Sequence, residues 1–306
     1  MRTTQASLLL PAPAVYFPIT DNRYSTRAAL TKFGHDFGNG QQDKKLFQLD
    51  TQFSPYRDNK LKARKAAIHH YVCTDAASSS QLNTVTQFIL QHLCDEYPEY
   101  FSLQHEMLSC QLTDEKIPIK DENLFDTLSL QVQEDICVME ISESNSTLLA
   151  AHLCAANHWS AREKLGMDML ALHQYVPGFS KENREPNQLV AGLYNKTQPY
   201  VRFAWGLSEQ PTLNQHPMLT PNDKSPIDEK VWLRIERQVI YPIPDTDLML
   251  FTIRTYFRDC DTLDKQQRIS LISAINSMSD DTLKYKNINK ADVINRLKQE
   301  GAGLSD

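Results

Sequence analysis

The chain has 306 residues, 41% of them hydrophobic, and a formal net charge of −6, which fits one large globular domain or two small ones. Its Lys and Arg residues are scattered rather than blocked together, which argues against a nucleic-acid or anionic-membrane partner. No window reaches the ~20 apolar residues of a membrane span. The Leu8-Leu9-Leu10 run is too short, and too soon interrupted by proline, for a secretory signal, so a cytoplasmic location is expected.

Residues 1–40 mix Pro, Gly, Asn and Asp with isolated aromatics and read as an irregular arm. The spacing of Val85, Phe88, Ile89, His92 and Leu93 predicts a helix over Asn83 to Leu93 that ends before Pro98. Leu128 to Gln133, Ile136 to Ile141 and Leu148 to Cys154 read as strands, with a polar turn at Ser142 to Ser146 between the last two. Ser160-Ala-Arg-Glu163 has the form of a capping box, so a helix is expected to start there and to stop at Pro177-Gly178. Leu165, Met169 and Leu172 form its apolar face, and His173 sits at the edge of that face. Trp159 and Tyr175 read as core aromatics.

Tyr200 to Leu207 is a further strand. Trp232 to Ile240 and Leu248 to Phe257 make a hairpin across the turn-rich Tyr241 to Asp247. An amphipathic helix follows over Asp264 to Met278, Ser279-Asp280-Asp281 caps a short one, and Lys290 to Gln299 closes the pattern. Strands mixed with segregated helices, and no regular βαβ alternation, define an α+β protein.

Alternation along a strand puts Arg234, Glu236 and Gln238 on one face of the hairpin, with Leu233, Ile235, Arg237 and Val239 on the other. A symmetric pairing would set Glu236 across from Arg254, and Arg234 and Gln238 across from Tyr256 and Thr252. A one-residue slip would undo that arrangement. The face reads either as a solvated, ion-paired surface or as a pocket wall whose arginines hold carboxylates bidentately.

The six cysteines lie far apart with no C-x-x-C, so zinc-ribbon, iron–sulfur and covalent heme attachment signals are missing, and buried free thiols are expected. There is no G-x-G-x-x-G, no P-loop and no G-x-S-x-G.

Several separated blocks, in order, resemble the heme-dependent oxidative N-demethylase alpha-subunit-like family. They are Asp95 to Phe101, Gln133-Glu-Asp-Ile-Cys137, Asn157 to Gly166, Leu172 to Gly178, Arg234 to Gln238 and Phe251 to Tyr256. The resemblance covers roughly residues 40 to 290, dividing the chain into an arm (1–40), a domain of that type (41–290) and a C-terminal helix and tail (291–306). It implies a PAS-like antiparallel sheet with flanking helices, cupping a noncovalent heme b. It implies oxidative removal of a methyl group from a small amine with O2, with formaldehyde released. The electrons would come from a flavin and iron–sulfur reductase partner.

His173 is the implied axial ligand, with His152, His158, His69 and His70 as rivals. Arg202, Trp205, Arg234, Arg237 and Gln238 are the implied cofactor contacts. Glu236, Arg254 and Tyr256 are the implied catalytic groups, Glu236 being able to pair a protonated amine. In Val201 to Trp205 the chain departs from the family by carrying Ala204 where Asn is common, which bears on the reaction more than on the heme. Two alternatives share the fold: a heme sensor or carrier without turnover, and a heme-free binder of another small molecule.

Overall fold

A computed structural model describes residues 9–143, 145–183, 198–219 and 230–299. The start of the arm and the tail beyond residue 299 lie outside these. Among the described residues ten strands form: β1 (Thr31–Lys32), β2 (Val72–Cys73), β3 (Phe101–Gln104), β4 (Met107–Cys110), β5 (Glu115–Pro118), β6 (Asp135–Ile141), β7 (Ser146–His152), β8 (Tyr200–Ser208), β9 (Trp232–Pro242) and β10 (Leu248–Asp259). Seven make one sheet in the order β1-β8-β9-β10-β6-β7-β2, every pairing antiparallel, and β3-β4-β5 make a small one.

Among the helices, α1 (Phe53–Tyr71) and α2 (Ser79–Glu96) are long, and α3 (Leu124–Ser129), α4 (Ala161–Lys164), α5 (Met169–Leu172) and α6 (Phe179–Glu182) are short. The described chain ends with α7 (Lys265–Asn276), α8 (Asp280–Tyr285) and α9 (Lys290–Gln299). None of the described helices is long and apolar enough to cross a membrane.

β6 is apolar on both faces because both faces of the sheet are covered. Val138, Val201, Val239 and Leu250 pack with Val85, Ile89 and Leu93 of α2. Cys137, Met139, Ile240, Met249 and Ile253 pack instead with Trp159, Leu165, Met169 and Leu172. The arm belongs to a third cluster, where Tyr16 and Ile19 join Leu233, Ile235, Tyr256 and Leu271, Ala274 and Ile275 of α7. Five cysteines are buried and Cys94 is half-buried, all six as free thiols.

Several expectations fail. Leu128 to Gln133 is the end of α3 and a turn rather than a strand, because its carbonyls face an ammonium. Lys60 Nζ donates to the carbonyls of Ser129 (2.7 Å), Val132 (3.0 Å) and Glu134 (2.5 Å). The helix expected from Ser160 to the Pro-Gly stop is three short helices, since Gly166 at φ +81° ends the first turn. Ser160 sits at the N-cap without a side-chain cap bond, so the box is unmade, whereas Ser78, Asp264 and Ser279 all cap their helices.

The hairpin register is one residue off the symmetric expectation: Arg254 lies opposite Arg237 and Thr255 opposite Glu236. Arg254 therefore shares a face with Arg237 and not with Glu236. Finally, Tyr175 is 76% exposed and not in any core.

α1 went unanticipated because its buried face, Phe53, Tyr56, Lys60 and Ala63, carries a lysine in place of an apolar residue.

Candidate functional site

The face of the sheet that carries Glu236 is not filled by helix packing. α4 to α6 and residues 24–30 of the arm roof it over, enclosing a cavity of about 280 Å³, at the lower end of the ~300–1,000 Å³ of small-molecule sites. Cys137, Met139, Ile240, Met249, Phe251 and Ile253 make its apolar floor. Glu182 and Asn183 fasten the arm to α6. The Glu182 carboxylate accepts from Ser25 Oγ (2.6 Å) and the Thr26 amide (2.7 Å), and Asn183 Oδ1 accepts from the Ala28 amide (3.0 Å). A larger, shallow groove of about 890 Å³ runs between α2 and Tyr241, but it gathers no comparable set of charged and aromatic groups.

His173 caps the C-terminus of α5 and lines the cavity. Its Nδ1 donates to the Met169 carbonyl at 2.9 Å, which leaves the lone pair on Nε2. The ring stacks on Phe179 at 4.4 Å and 10°. Burial holds it down to about 4, and the nearby Arg202 and Lys164 cations push the same way, so the imidazole is neutral at ordinary pH. A neutral ring, tied at one nitrogen and bare at the other, is the form a metal ligand takes. It is the one histidine among the described residues that lines this cavity.

The rivals are otherwise employed. His152 is fully buried, with Nε2 on Asp126 at 3.1 Å and Nδ1 beside the Cys154 thiol at 3.8 Å. His69 and His70 have their rings 4.5 Å apart and tilted by 42° at the end of α1, outside the cavity, and His158 is not part of its lining.

Of the other predicted site residues, the cavity brings together Arg202, Glu236, Gln238 and the strand segment at Trp205. Arg202, buried enough for desolvation to lower its basicity, has no partner for Nε and only a 3.5 Å contact from Nη2 to the Arg27 carbonyl. Glu236 accepts from Arg234 Nε (3.3 Å) and Gln238 Nε2 (3.1 Å). Trp205 lies opposite Ile235 in β9, so its ring is on the far face and packs with Leu233 and Ile235.

Arg234 shares the cavity face but is spent on the carbonyls of Ala155 (2.6 Å), Leu213 (3.3 Å) and Thr212 (3.4 Å). Arg237, Arg254 and Tyr256 are on the other side of the sheet. There Arg254 pairs with Asp50 at 2.7 Å between the rings of Tyr56 and Tyr256, and Tyr256 donates to Gln48. Gln133 and Glu134 hold the main chain of Asp50 and Gln48, and Arg237 donates to the Lys45 carbonyl. These residues form one buried polar hub that fixes the segment 43–50 to the sheet.

Sequence reasoning missed Tyr24, Lys164, Phe179, Tyr285 and Lys286, all of which line the cavity. No spacing rule reaches them, because each arrives from a short helix or from the irregular arm.

Acid should loosen the fold through its buried imidazoles. His152 is held down to about 4 by burial and His173 likewise, against 6.5 for the free side chain. Between about pH 6.5 and 4 the unfolded chain therefore binds more protons than the folded one, so stability falls as pH falls through that window. His152 alone accounts for on the order of 3 kcal/mol. Burial raises the carboxyls of Glu96 to about 7 and Asp135 to about 6, and these work in the opposite direction over the same window. The imidazole contribution is therefore read as a difference. From pH 7 to 4 the thermal midpoint of His152→Gln should fall less than that of the unmodified protein, and equal changes would contradict it.

The family model described as "Haem-dependent oxidative N-demethylase, alpha subunit-like" matches residues 39–294.

Proposed function

This chain belongs to the heme-dependent oxidative N-demethylase, alpha subunit-like family, and from that premise we propose that it is a heme-binding oxygenase subunit that demethylates a small amine. The observation that carries the proposal is His173, a neutral imidazole with Nδ1 anchored and Nε2 bare, beside an apolar and aromatic cavity. The residues present fit the group. His173 would supply a nitrogen to the iron, and Phe179, Phe251 and Ile253 would supply apolar surface. Arg202, with its unpartnered Nε, would supply a donor for a propionate. The strand order β7-β6-β10-β9-β8, with α4 to α6 inserted between β7 and β8, supports the PAS-like reading of the sheet.

A bound heme would supply the iron at which O2 is activated for oxidation of an N-methyl group. The protein's part is binding and orientation. Glu236 would receive the N–H of the protonated amine, with Arg234 and Gln238 fixing its carboxylate from either side. The apolar floor would exclude water from the methyl group. Arg254, Tyr256 and Arg237 serve by holding β9 and β10 in register rather than by contact with ligand. With no nucleotide-binding or iron–sulfur motif in the chain, electrons would come from a flavin and iron–sulfur reductase partner, in the cytoplasm.

The test is direct. Purified protein with a Soret band, reductant, O2 and dimethylamine should yield formaldehyde. A heme-loaded, reducible protein that forms none from any small methylamine would be a carrier or sensor instead. Glu236→Gln should lower kcat/KM for the amine by about 10- to 100-fold, chiefly through KM, while the heme band persists. An unchanged KM would remove Glu236 from the binding role.

A further inference from the structure

One charged pair in the cavity is left unmade. Lys286, one residue past α8, and Glu236, on β9, line the same cavity; burial pulls the lysine down to about 8, and the charge of Glu236 works the other way. They nevertheless form no ion pair. Lys286 Nζ donates to the Trp205 carbonyl at 3.0 Å and stands 5.1 Å over the Tyr24 ring. That bond uses one of three ammonium hydrogens, and the described residues bring no acceptor to the others.

The strand wall beneath is low. Ala204 and Gly206 lie opposite Glu236 and Arg234, and a Cβ on Gly206 would stand 3.6 Å from Lys286 Nζ. Arg234 already compensates the Glu236 carboxylate, and Arg202 is assigned to a propionate, which leaves Lys286 a cation of the lining without a counter-charge. A bare alkylammonium would leave it so. A zwitterion adds no net charge and answers both groups.

We propose that this cavity takes an N-methylated amino acid, with Lys286 on its carboxylate and Glu236 on its ammonium. The proposal rests on the demethylase reading and narrows its substrate class. For N-methylglycine the methyl C–N bond breaks and the methyl carbon is oxidised. One oxygen atom of O2 enters formaldehyde, and the other leaves as water with two protons and two electrons from the reductase partner. Glycine is the amine product.

Calorimetric titration of the heme-loaded full chain with N-methylglycine and with dimethylamine tests this without turnover. N-methylglycine should bind at least about tenfold more tightly, and Lys286→Met should bring the ratio of the two Kd values close to one. Equal or tighter binding of dimethylamine by the unmodified protein overturns the proposal, and so does an unmoved ratio in a Lys286→Met protein whose thermal unfolding shows it folded. Formaldehyde from dimethylamine but not from N-methylglycine would keep the demethylase reading and reject the zwitterion site. A protein that takes up no hemin, yet binds N-methylglycine in a manner dependent on Lys286 and Glu236, would keep the zwitterion site and reject the demethylase.

Discussion

Replacing His173 by alanine is expected to strip the protein of heme: the purified variant should lack the Soret band and take up added hemin more than about 100-fold more weakly. The size of the effect follows from how little else can hold the group. The chain has no C-x-x-C-H for covalent attachment, and no other histidine lines the described cavity. The anchored Nδ1 also pre-orients the ring, so a ligand offered at the same height by a flexible side chain would not replace it. Because the imidazole is stacked on Phe179, its removal leaves a hole into which free imidazole can enter. Partial return of the band on adding imidazole would identify lost ligation, and not a lost fold, as the cause. A band of undiminished intensity in His173→Ala would place the iron elsewhere.

Removal of one partner of the Arg254–Asp50 pair should damage the fold and not the chemistry. Both side chains are almost wholly buried, and Arg254 is sandwiched between Tyr56 and Tyr256 with its guanidinium on the Asp50 carboxylate at 2.7 Å. Breaking a buried pair leaves an uncompensated charge, at a cost of roughly 3–5 kcal/mol. For a protein of this size, Asp50→Ala or Arg254→Met should lower the thermal midpoint by about 6–15 °C. Replacing both together, as Asp50→Leu with Arg254→Met, should cost less than the sum of the two, since neither charge is then orphaned. A folded Arg254→Met protein with an unaltered midpoint but lost amine turnover would return Arg254 to the site.

The two outcomes separate residues that look alike in the sequence. Arg202, Arg234, Arg237 and Arg254 all sit in polar-studded strands, and alternation alone could not tell which meet a ligand. β9 and β10 were legible because both strands are long, apolar-alternating and divided by Pro-rich turn residues. Their register was not, because the outermost pair is Pro242 with Met249, which leaves an even number of residues, 243–248, between paired positions where the symmetric pairing needs an odd one, and each shift by one exchanges the faces. Gln133, Glu134 and Asp135 stood out as a block, yet their work is to bind main-chain groups of segments 48–50 and 154–155. Such long-range side-chain-to-backbone bonds leave no periodic trace.

The helix before His173 shows the same boundary. The apolar face of Leu165, Met169 and Leu172 was readable and does pack on the sheet, but Gly166 breaks the helix into turns that a periodicity argument joins.

Local propensity and hydrophobic period thus decided the strands β6 to β10 and the helices α2 and α7 to α9, that the protein is α+β, and that His173 lies at the end of a helical turn before a Pro-Gly stop. These are properties of neighbouring residues, and neighbouring residues are what a sequence lists. The cavity, its roof of arm and short helices, and the facing of Glu236 by Lys286 were decided only by tertiary structure. Each joins groups tens to hundreds of residues apart, and their meeting depends on strand register and on which sheet face each helix covers.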